Sequence, residues 1–387
     1  NRYKNIVYET LEFIEKELTS PEGIFYSSLD ADSYTSDNQL EEGAYYSWTK
    51  EELKSILKND FALFSNYYNI NAYGAWEHDK YVLIKSINDK LFSQENSISI
   101  SQLENKKNDW RKKLKQRQET RKKPRLDDKS LTSWNSLMIS GYLDAYAVFK
   151  NKSYLKKAQT AARFIVKNQM TEEGKLFHNY KKGQVSINGY LEDYAATAKA
   201  FIQLYEITSH ETWLQKAEVL MQYAITNFYN DASKMFYFTS KKEPSLVAKT
   251  IEYTDNVMAS SNSIMAKNLF SLSHHLDRKT YEEMATVMLN NVKSKMADNA
   301  SSFSNWLDLM LNFTNPYYEV VISGKDAKTK LEELHKNYLP NILVSYSTSA
   351  SDLPLLKNRF QKNSTFIYVC INKTCKLPVT TIHQTIN

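Results

Sequence analysis

Apolar residues at Trp134, Leu137, Met138, Gly141, Tyr142, Ala145 and Phe149 recur every three or four positions, and Leu191, Tyr194, Ala195, Ala198, Ile202 and Tyr205 repeat that spacing. The period predicts two helices. A further helix follows each, and the starts of these second helices resemble one another. "NKSYLKKA" at 151–158, "HETWLQKA" at 210–217 and "RKTYEEMA" at 278–285 share an aromatic residue (Tyr154, Trp213, Tyr281) with alanine four positions later (Ala158, Ala217, Ala285), at spacings of 59 and 68 residues. One helical turn places each pair on one face. "NRYKNIV" at 1–7 offers Tyr3 and Val7 in the same places. The repeating unit is therefore a helical hairpin. The first helix of a pair is also small on its other face (Ala196, Ala200), whereas the second, as in "KKAQTAARFIVKNQ", is polar on one side. This difference predicts an inner ring of buried helices and an outer ring of half-exposed ones.

The connections have strand character. "KLFHNYKKGQVSINGY" at 175–190 alternates around Lys182-Gly183 and predicts a short β-hairpin, and "KMFYFTS" at 234–240 reads similarly, as do "GIFYSSLDADS" and "EEGAYYSWTKEE". Thr49 with Glu52 has the spacing of a capping box. After residue 315 the pattern becomes strand, helix, strand, strand, through "YYEVVISG", Leu331 and Leu334, "NILVSY" and "TFIYVCI". The expectation is a helix-dominated (α/α) hairpin toroid over residues 1–315, with a small α/β module at 316–387 packed on it.

Composition supports a packed, helical protein. Of 387 residues 42% are hydrophobic and 13% aromatic, enough to fill a core, and only 8 Gly and 7 Pro argue against a fold built on tight turns. No segment approaches the ~20 apolar residues of a membrane span, and the amphipathic start is not a signal peptide, so a cytoplasmic protein without membrane contact is expected. The net charge of +6 is local: residues 104–125 hold eleven Lys or Arg against three acids, which leaves 6 − 8 = −2 for the rest. Trp110 is the lone aromatic in that run, which reads as a solvated helix, not a nucleic-acid surface.

Polar residues that could do chemistry gather where the first helix of each hairpin begins. "LDDKSLTSWN", "GYLEDYA" and "YTDNVMASSNS" carry Asp127 and Asp128, Glu192 and Asp193, and Asp255. In a ring of hairpins these would converge on one rim, joined by Asp30 and Asp32 of "DADS". Acids in a first helical turn also serve as caps, which is the ordinary reason to find them there. Neighbouring carboxylates, however, drive one another's pKa apart, as acid–base chemistry requires. Asp127, Asp128, Glu192 and Asp193 are thus the candidate catalytic groups. Asp-Asp-Lys together is more than a cap needs, because Ser130 or Thr132 could already cap the helix after Asp128.

Trp48, Trp134 and Tyr190 stand beside these acids, with Tyr45, Tyr46 and Tyr253. Carboxylates with aromatic platforms suit a carbohydrate, whose hydroxyls and apolar ring faces they match. Arg125 and Lys129 flank the acid pair, His178 lies in a connection able to lean over the cavity, and Asn135 and Asn262 complete the candidate substrate contacts. Tyr194, on the apolar stripe, is expected in the core. Histidine and carboxylate spacing suggests no metal, and no phosphate loop, serine elbow or other cofactor motif is present. Cys370 and Cys375 are the only cysteines. They suit one local disulfide, a packed pair or a redox pair.

"YSSLDADS", "EEGAYYSWTKEE", "PRLDDKSLTSWNSLMISG", "GYLEDYA", "DNVMASSNS", "YEVVISG" and the closing "YVCINKTCKLPVT" resemble, in this order, the large C-terminal part of the YyaL-like, spermatogenesis-associated family of thioredoxin-domain-containing proteins. The resemblance spans essentially the whole chain. It implies an (α/α)6 toroid similar to N-acylglucosamine 2-epimerases and six-hairpin glycosidases, fused to an N-terminal thioredoxin-like domain with a Cys-x-x-Cys pair. That domain and the first helix of the opening hairpin lie outside this sequence, so a fragment or processed chain is expected. Ser136 stands where the family commonly has Gly, and "ASSNS" replaces a form richer in Pro and Gly. Three functions follow as expectations: a sugar-active hydrolase or epimerase, a non-catalytic carbohydrate- or peptide-binding module, and a partner of the thioredoxin-like domain through Cys370 and Cys375. An epimerase of this kind would want two histidines, and only His178 is near, which favours carboxylate chemistry.

Overall fold

The computed structural model describes residues 3–244 and 248–386. Its helices, in chain order, are α1 (Lys4–Glu17), α2 (Lys50–Leu57), α3 (Phe61–Tyr67), α4 (Asp89–Glu95), α5 (Ile100–Gln118), α6 (Thr132–Phe149), α7 (Lys152–Phe164), α8 (Leu191–Thr208), α9 (Glu211–Phe228), α10 (Ser261–His275), α11 (Lys279–Met296), α12 (Ser304–Thr314), α13 (Ala327–Leu334) and α14 (Ile382–Ile386). Two compact units divide them. One comprises Ser28–Asp128; the other joins the chain up to Ser27 with everything from Lys129 onward.

The larger unit has the expected (α/α) hairpin fold. Pairs α6–α7, α8–α9 and α10–α11 each pack together, and α8 also packs against both α6 and α10. Inner helices are buried almost all round: Tyr194, Ala195, Ala198, Ala200, Phe201 and Leu204 of α8 are each at most 1% exposed. Outer helices bury one stripe, as their polar faces require. The aromatic–alanine pairs lie on that stripe, since Tyr154 and Ala158, Trp213 and Ala217, and Tyr281 and Ala285 are all in the core. The first copy differs. Tyr3 is 66% exposed and precedes α1, while Val7 is only partly buried.

Short strands bridge the hairpins. Asn179–Lys181 pairs with Gln184–Val185 across Lys182 and Gly183, both at positive φ, and also with Ser130–Leu131. Met235–Phe236 pairs with Tyr229–Asn230. Tyr318–Ser323 lies parallel to Ile342–Ser347, joined through α13, and antiparallel to Phe366–Ile371, which turns back into Thr374–Cys375. The strand–helix–strand–strand order expected after residue 315 is thus present as one four-stranded sheet.

The unit Ser28–Asp128 has its own core of Trp48, Leu53, Phe64, Tyr67, Phe92, Leu103 and Trp110. Its ends meet where Ser28–Leu29 pairs with Leu126–Asp127. Sequence patterning had placed this segment within the hairpin array of residues 1–315, whereas the contacts set it apart. Thr49 caps α2 by accepting the Glu52 N–H at 3.2 Å, as expected. The basic run is α5, and much of its charge is paired within the unit: Lys106 with Asp60, Lys107 with Asp89, Arg117 and Arg121 with Glu52. Trp110 is buried, so it offers no stacking platform.

Candidate acid–base site

Asp193 is the hub of a cluster within the larger unit. Its side chain is fully buried and accepts three hydrogen bonds. Oδ1 takes the Ser133 N–H at 2.9 Å, and Oδ2 takes the Tyr190 N–H and faces His178 Nδ1, each at 2.9 Å. Ser133 opens α6 and Tyr190 precedes α8, so one carboxylate serves two helix N-termini, whose partial positive charge it neutralises. Neither Ser130 nor Thr132 caps α6, contrary to the sequence expectation. The N-cap position is Leu131, which has no capping side chain, and Thr132 Oγ1 donates to the Phe177 carbonyl at 2.5 Å instead.

His178 is held from both sides by its backbone. Thr132 N–H donates to its carbonyl at 2.8 Å, and its own N–H donates to Ile187 O at 2.7 Å. A π-helical turn, Ile165–Gln169, extends α7 toward this point, and the Gln169 amide donates to Thr132 Oγ1 at 2.6 Å. Gly189 permits the close approach that completes the arrangement. A Cβ there would sit 2.9 Å from the Leu176 carbonyl, so a larger residue would push the 187–190 segment off 176–178. The His178 and Tyr190 rings end 4.8 Å apart, and Tyr190 stacks on Phe238 at 5.2 Å.

Electrostatics separate the three titratable groups. The bond to Asp193 raises the His178 pKa above its ordinary value, against burial and the opposing charge of Lys129. Burial pushes Glu192 up to about 7, the Asp193 and Glu252 charges push the same way, and His178 opposes them. Burial also pushes Asp193 up. Two backbone donors and an imidazole oppose this, and both carboxyl oxygens are committed as acceptors, so the proton of the pair resides on His178. An Asp193 carboxylate on Nδ1 fixes the tautomer and leaves Nε2 as the second working atom. Ligand atoms of His178, Glu192 and Asp193 lie within 4.8 Å of one another, so these are also the residues that could hold a cation. Because Asp193 already satisfies two backbone N–H groups, only Glu192 and His178 Nε2 would be free to coordinate, fewer than a stable site uses. Proton transfer suits the arrangement better.

Other candidates fall into distinct groups. Trp134 is 41% exposed and follows Ser133 directly, presenting an indole at the start of α6. Asp255 is buried and structural: it accepts Ser260 N–H, Ser263 Oγ–H and Asn305 N–H at 2.8–2.9 Å. Asn135 and Asn262 are buried clamps. Asn135 bonds both the N–H and the carbonyl of Phe25, Asn262 does the same to Phe236, and each thereby ties an inner helix to the preceding connection. Tyr194 is buried as expected, its hydroxyl accepting Leu176 N–H.

Asp30, Asp32, Trp48, Arg125, Asp127 and Asp128 belong to the other unit. There Asp30 pairs with Arg125 at 3.1 Å, Asp32 N–H donates to Asp30, Asp127 is strand-paired with Ser28, and Trp48 is buried beneath the Arg121 guanidinium at 4.0 Å. Glu252 escaped the sequence reading. It accepts Ser261 N–H and Oγ–H at the start of α10, and its charge reaches Glu192. Its signal was an acid beside Tyr253 in the connection already marked by Asp255.

The chain is 26% identical to human spermatogenesis-associated protein 20 over 420 residues, covering 98% of this chain and 53% of that protein. An uncharacterised Caenorhabditis elegans protein is also 26% identical, with 98% and 56% covered. The chain thus spans about half the length of the curated relatives it matches. No family model matches it. Among solved structures, a GH76 α-mannanase from Bacteroides thetaiotaomicron aligns over 92% of both chains at 15% identity with a TM-score of 0.40. Cellobiose 2-epimerase from Bacillus thermoamylovorans aligns over 76% of this chain and 73% of its own at 14% identity, TM-score 0.38.

Proposed function

We propose that this protein acts on a carbohydrate by proton transfer through Glu192 and His178, with Asp193 as the group that positions the imidazole. The observation that carries the reading is a half-buried carboxyl, Glu192, with a pKa of about 7, set beside an imidazole whose far nitrogen is tied to a buried carboxylate. A carboxylic acid that still holds its proton near neutral pH can donate it to a glycosidic or ring oxygen, and His178 Nε2 can take a proton from water or from a sugar carbon. Trp134 offers an apolar face for a pyranose ring at the start of α6, and Tyr190 offers another beside the imidazole. Asp127 and Asp128 lie in the other unit, and the acid–base pair needs neither.

Hydrolysis and epimerisation differ in what His178 does. In hydrolysis Glu192 protonates the leaving oxygen while His178 or Glu252 deprotonates water. In epimerisation one group removes the proton next to the carbonyl of an open-chain sugar and the other returns it. Incubating the chain with a panel of glycosides and reducing sugars in D2O separates them: new reducing ends report hydrolysis, deuterium at C2 reports epimerisation. Either signal should fall at least about 100-fold in Glu192→Gln, the scale of a lost general acid. Sugar binding without either signal, unchanged in that variant, would indicate the binding-module alternative. No binding at all would remove the carbohydrate reading.

A further inference from the structure

We infer that Cys370 and Cys375 form a thiol–disulfide exchange centre, in which Cys375 is the sulfur attacked and Cys370 leaves as a thiolate held by Arg359. The two cysteines face each other in register across a hairpin whose turn, Asn372 and Lys373, has positive φ at both residues, and they are disulfide-bonded. A cross-link over a sequence separation of only five, across a turn already closed by strand pairing, removes little freedom from the unfolded chain. Stabilisation alone is a poor reason for the bond.

Arg359 supplies a better one. Its Nη1 lies 3.7 Å from Cys370 Sγ and its Nη2 3.3 Å from Cys375 Sγ, with the guanidinium 4.7 Å over the Tyr368 ring. Among the described residues these sulfurs are its side-chain hydrogen-bond acceptors. Burial disfavours the charge on Arg359 more than Tyr368 and the Glu319 carboxylate favour it, and a neutral disulfide adds little. A thiolate would. The guanidinium is therefore placed for the reduced state, in which a buried sulfur needs a cation to carry its negative charge.

Exposure fixes the order of events. Cys370 is 0% exposed and Cys375 is partly exposed, so an incoming thiolate reaches only Cys375. With a dithiol reductant, the first thiolate attacks Cys375 Sγ, a mixed disulfide forms, and the Cys370–Cys375 bond breaks with its electron pair left on Cys370, against Arg359. The second thiol of the reductant, as thiolate, attacks its partner sulfur in the mixed disulfide and releases Cys375 as thiolate. The protein has gained two electrons and the reductant is now a disulfide. The turn keeps its shape throughout, because Lys373 N–H donates to the buried Glu319 at 3.2 Å and Lys373 Nζ pairs with Asp277. Glu319, strand-paired with Cys370, opposes the thiolate, while Arg359 and Lys373 favour it, and Tyr368 faces it from its own strand.

The test uses the oxidised chain, dithiothreitol and glutathione as probes, and alkylation followed by mass spectrometry. Reduction is expected under native conditions faster than unfolding, with the glutathione adduct on Cys375. Arg359→Gln should slow it by about threefold, because a rise of about one pKa unit in the leaving thiolate is only partly expressed in the exchange rate, and Arg359→Lys should recover part of the rate. If Arg359→Gln does not fold, the thiolate ultraviolet absorbance of a Cys375→Ser chain, which leaves Cys370 as the one thiol, decides, with a midpoint below the ordinary thiol value of about 8.5 expected. An adduct on Cys370, equal rates in folded Arg359→Gln and the native chain, reduction only at the rate of unfolding, or a midpoint at or above 8.5 would each overturn the assignment.

Discussion

The starts of α8 and α10 solve one structural problem in two ways. Both use a buried aspartate to satisfy backbone N–H groups at the beginning of an inner helix, and both have a glutamate close by. Asp255 spends its acceptors on two N–H groups and a serine hydroxyl, all at α10 and the start of α12. Asp193 takes N–H groups from two different hairpins and uses its remaining capacity on His178. The difference lies in the third donor: a hydroxyl completes a cap, whereas an imidazole makes the cap titratable and places a proton beside Glu192. An acid at a helix start becomes chemistry only through what else it holds.

Removing the two aspartates should therefore have unequal costs. Asp193→Ala leaves two helix N-termini without an acceptor and His178 without its partner, and urea denaturation should show a loss of about 3–5 kcal/mol. Asp255→Ala, confined to one helix start and its neighbour, should cost about 1–3 kcal/mol. Equal losses would mean that His178 adds nothing to the Asp193 network.

pH separates the two starts next. His178 and Glu192 both have pKa values raised by folding. The stability that His178 gains from Asp193 is fully present below its unfolded pKa of about 6.5 and is lost as pH rises through the raised folded value. Glu192 is raised to about 7 from its ordinary value of 4.5, so the folded state binds its proton more tightly and loses that advantage as pH rises between the two. Stability should fall with rising pH from about 4.5 to beyond 7. Glu192→Gln should match the native chain at pH 4 and exceed it at pH 8 by on the order of 2 kcal/mol, measured by denaturation at both. A variant less stable at pH 8 would place Glu192 in a structural ion pair instead. The smallest effect is expected of Trp134→Ala. With an exposed side chain, it should change stability by no more than about 0.5 kcal/mol while weakening sugar binding measured by calorimetry.

The sequence showed the hairpins because their signal is local. Tyr154 with Ala158 and its two counterparts repeat within one helical turn, and burial of both members follows from helical geometry. The β-turn at Lys182-Gly183 was legible for the same reason. The unit Ser28–Asp128 was not, because what closes it is the pairing of Ser28–Leu29 with Leu126–Asp127, nearly a hundred residues apart. Among site residues, Glu192, Asp193 and His178 were all singled out, but as separate contributors. Their union depends on Asp193 reaching back to Ser133 in the preceding hairpin, a contact without a sequence pattern. The clamping role of Asn135 and Asn262 was not legible, because an asparagine that bonds a backbone N–H and carbonyl looks, in sequence, like one that faces a substrate. Glu252 went unseen because it stands one residue before "YTDNVMASSNS", the stretch read as the entry to α10.

The protonation of Glu192 tests the proposed site most directly. With glutamate carboxyl carbons labelled with ¹³C, the resonance that disappears in Glu192→Gln can be followed against pH in the native chain. A midpoint near 7 is predicted, with a second inflection in that resonance as His178 titrates beside it. A midpoint near 4.5 with no sign of the imidazole would contradict the assignment of this cluster as an acid–base site.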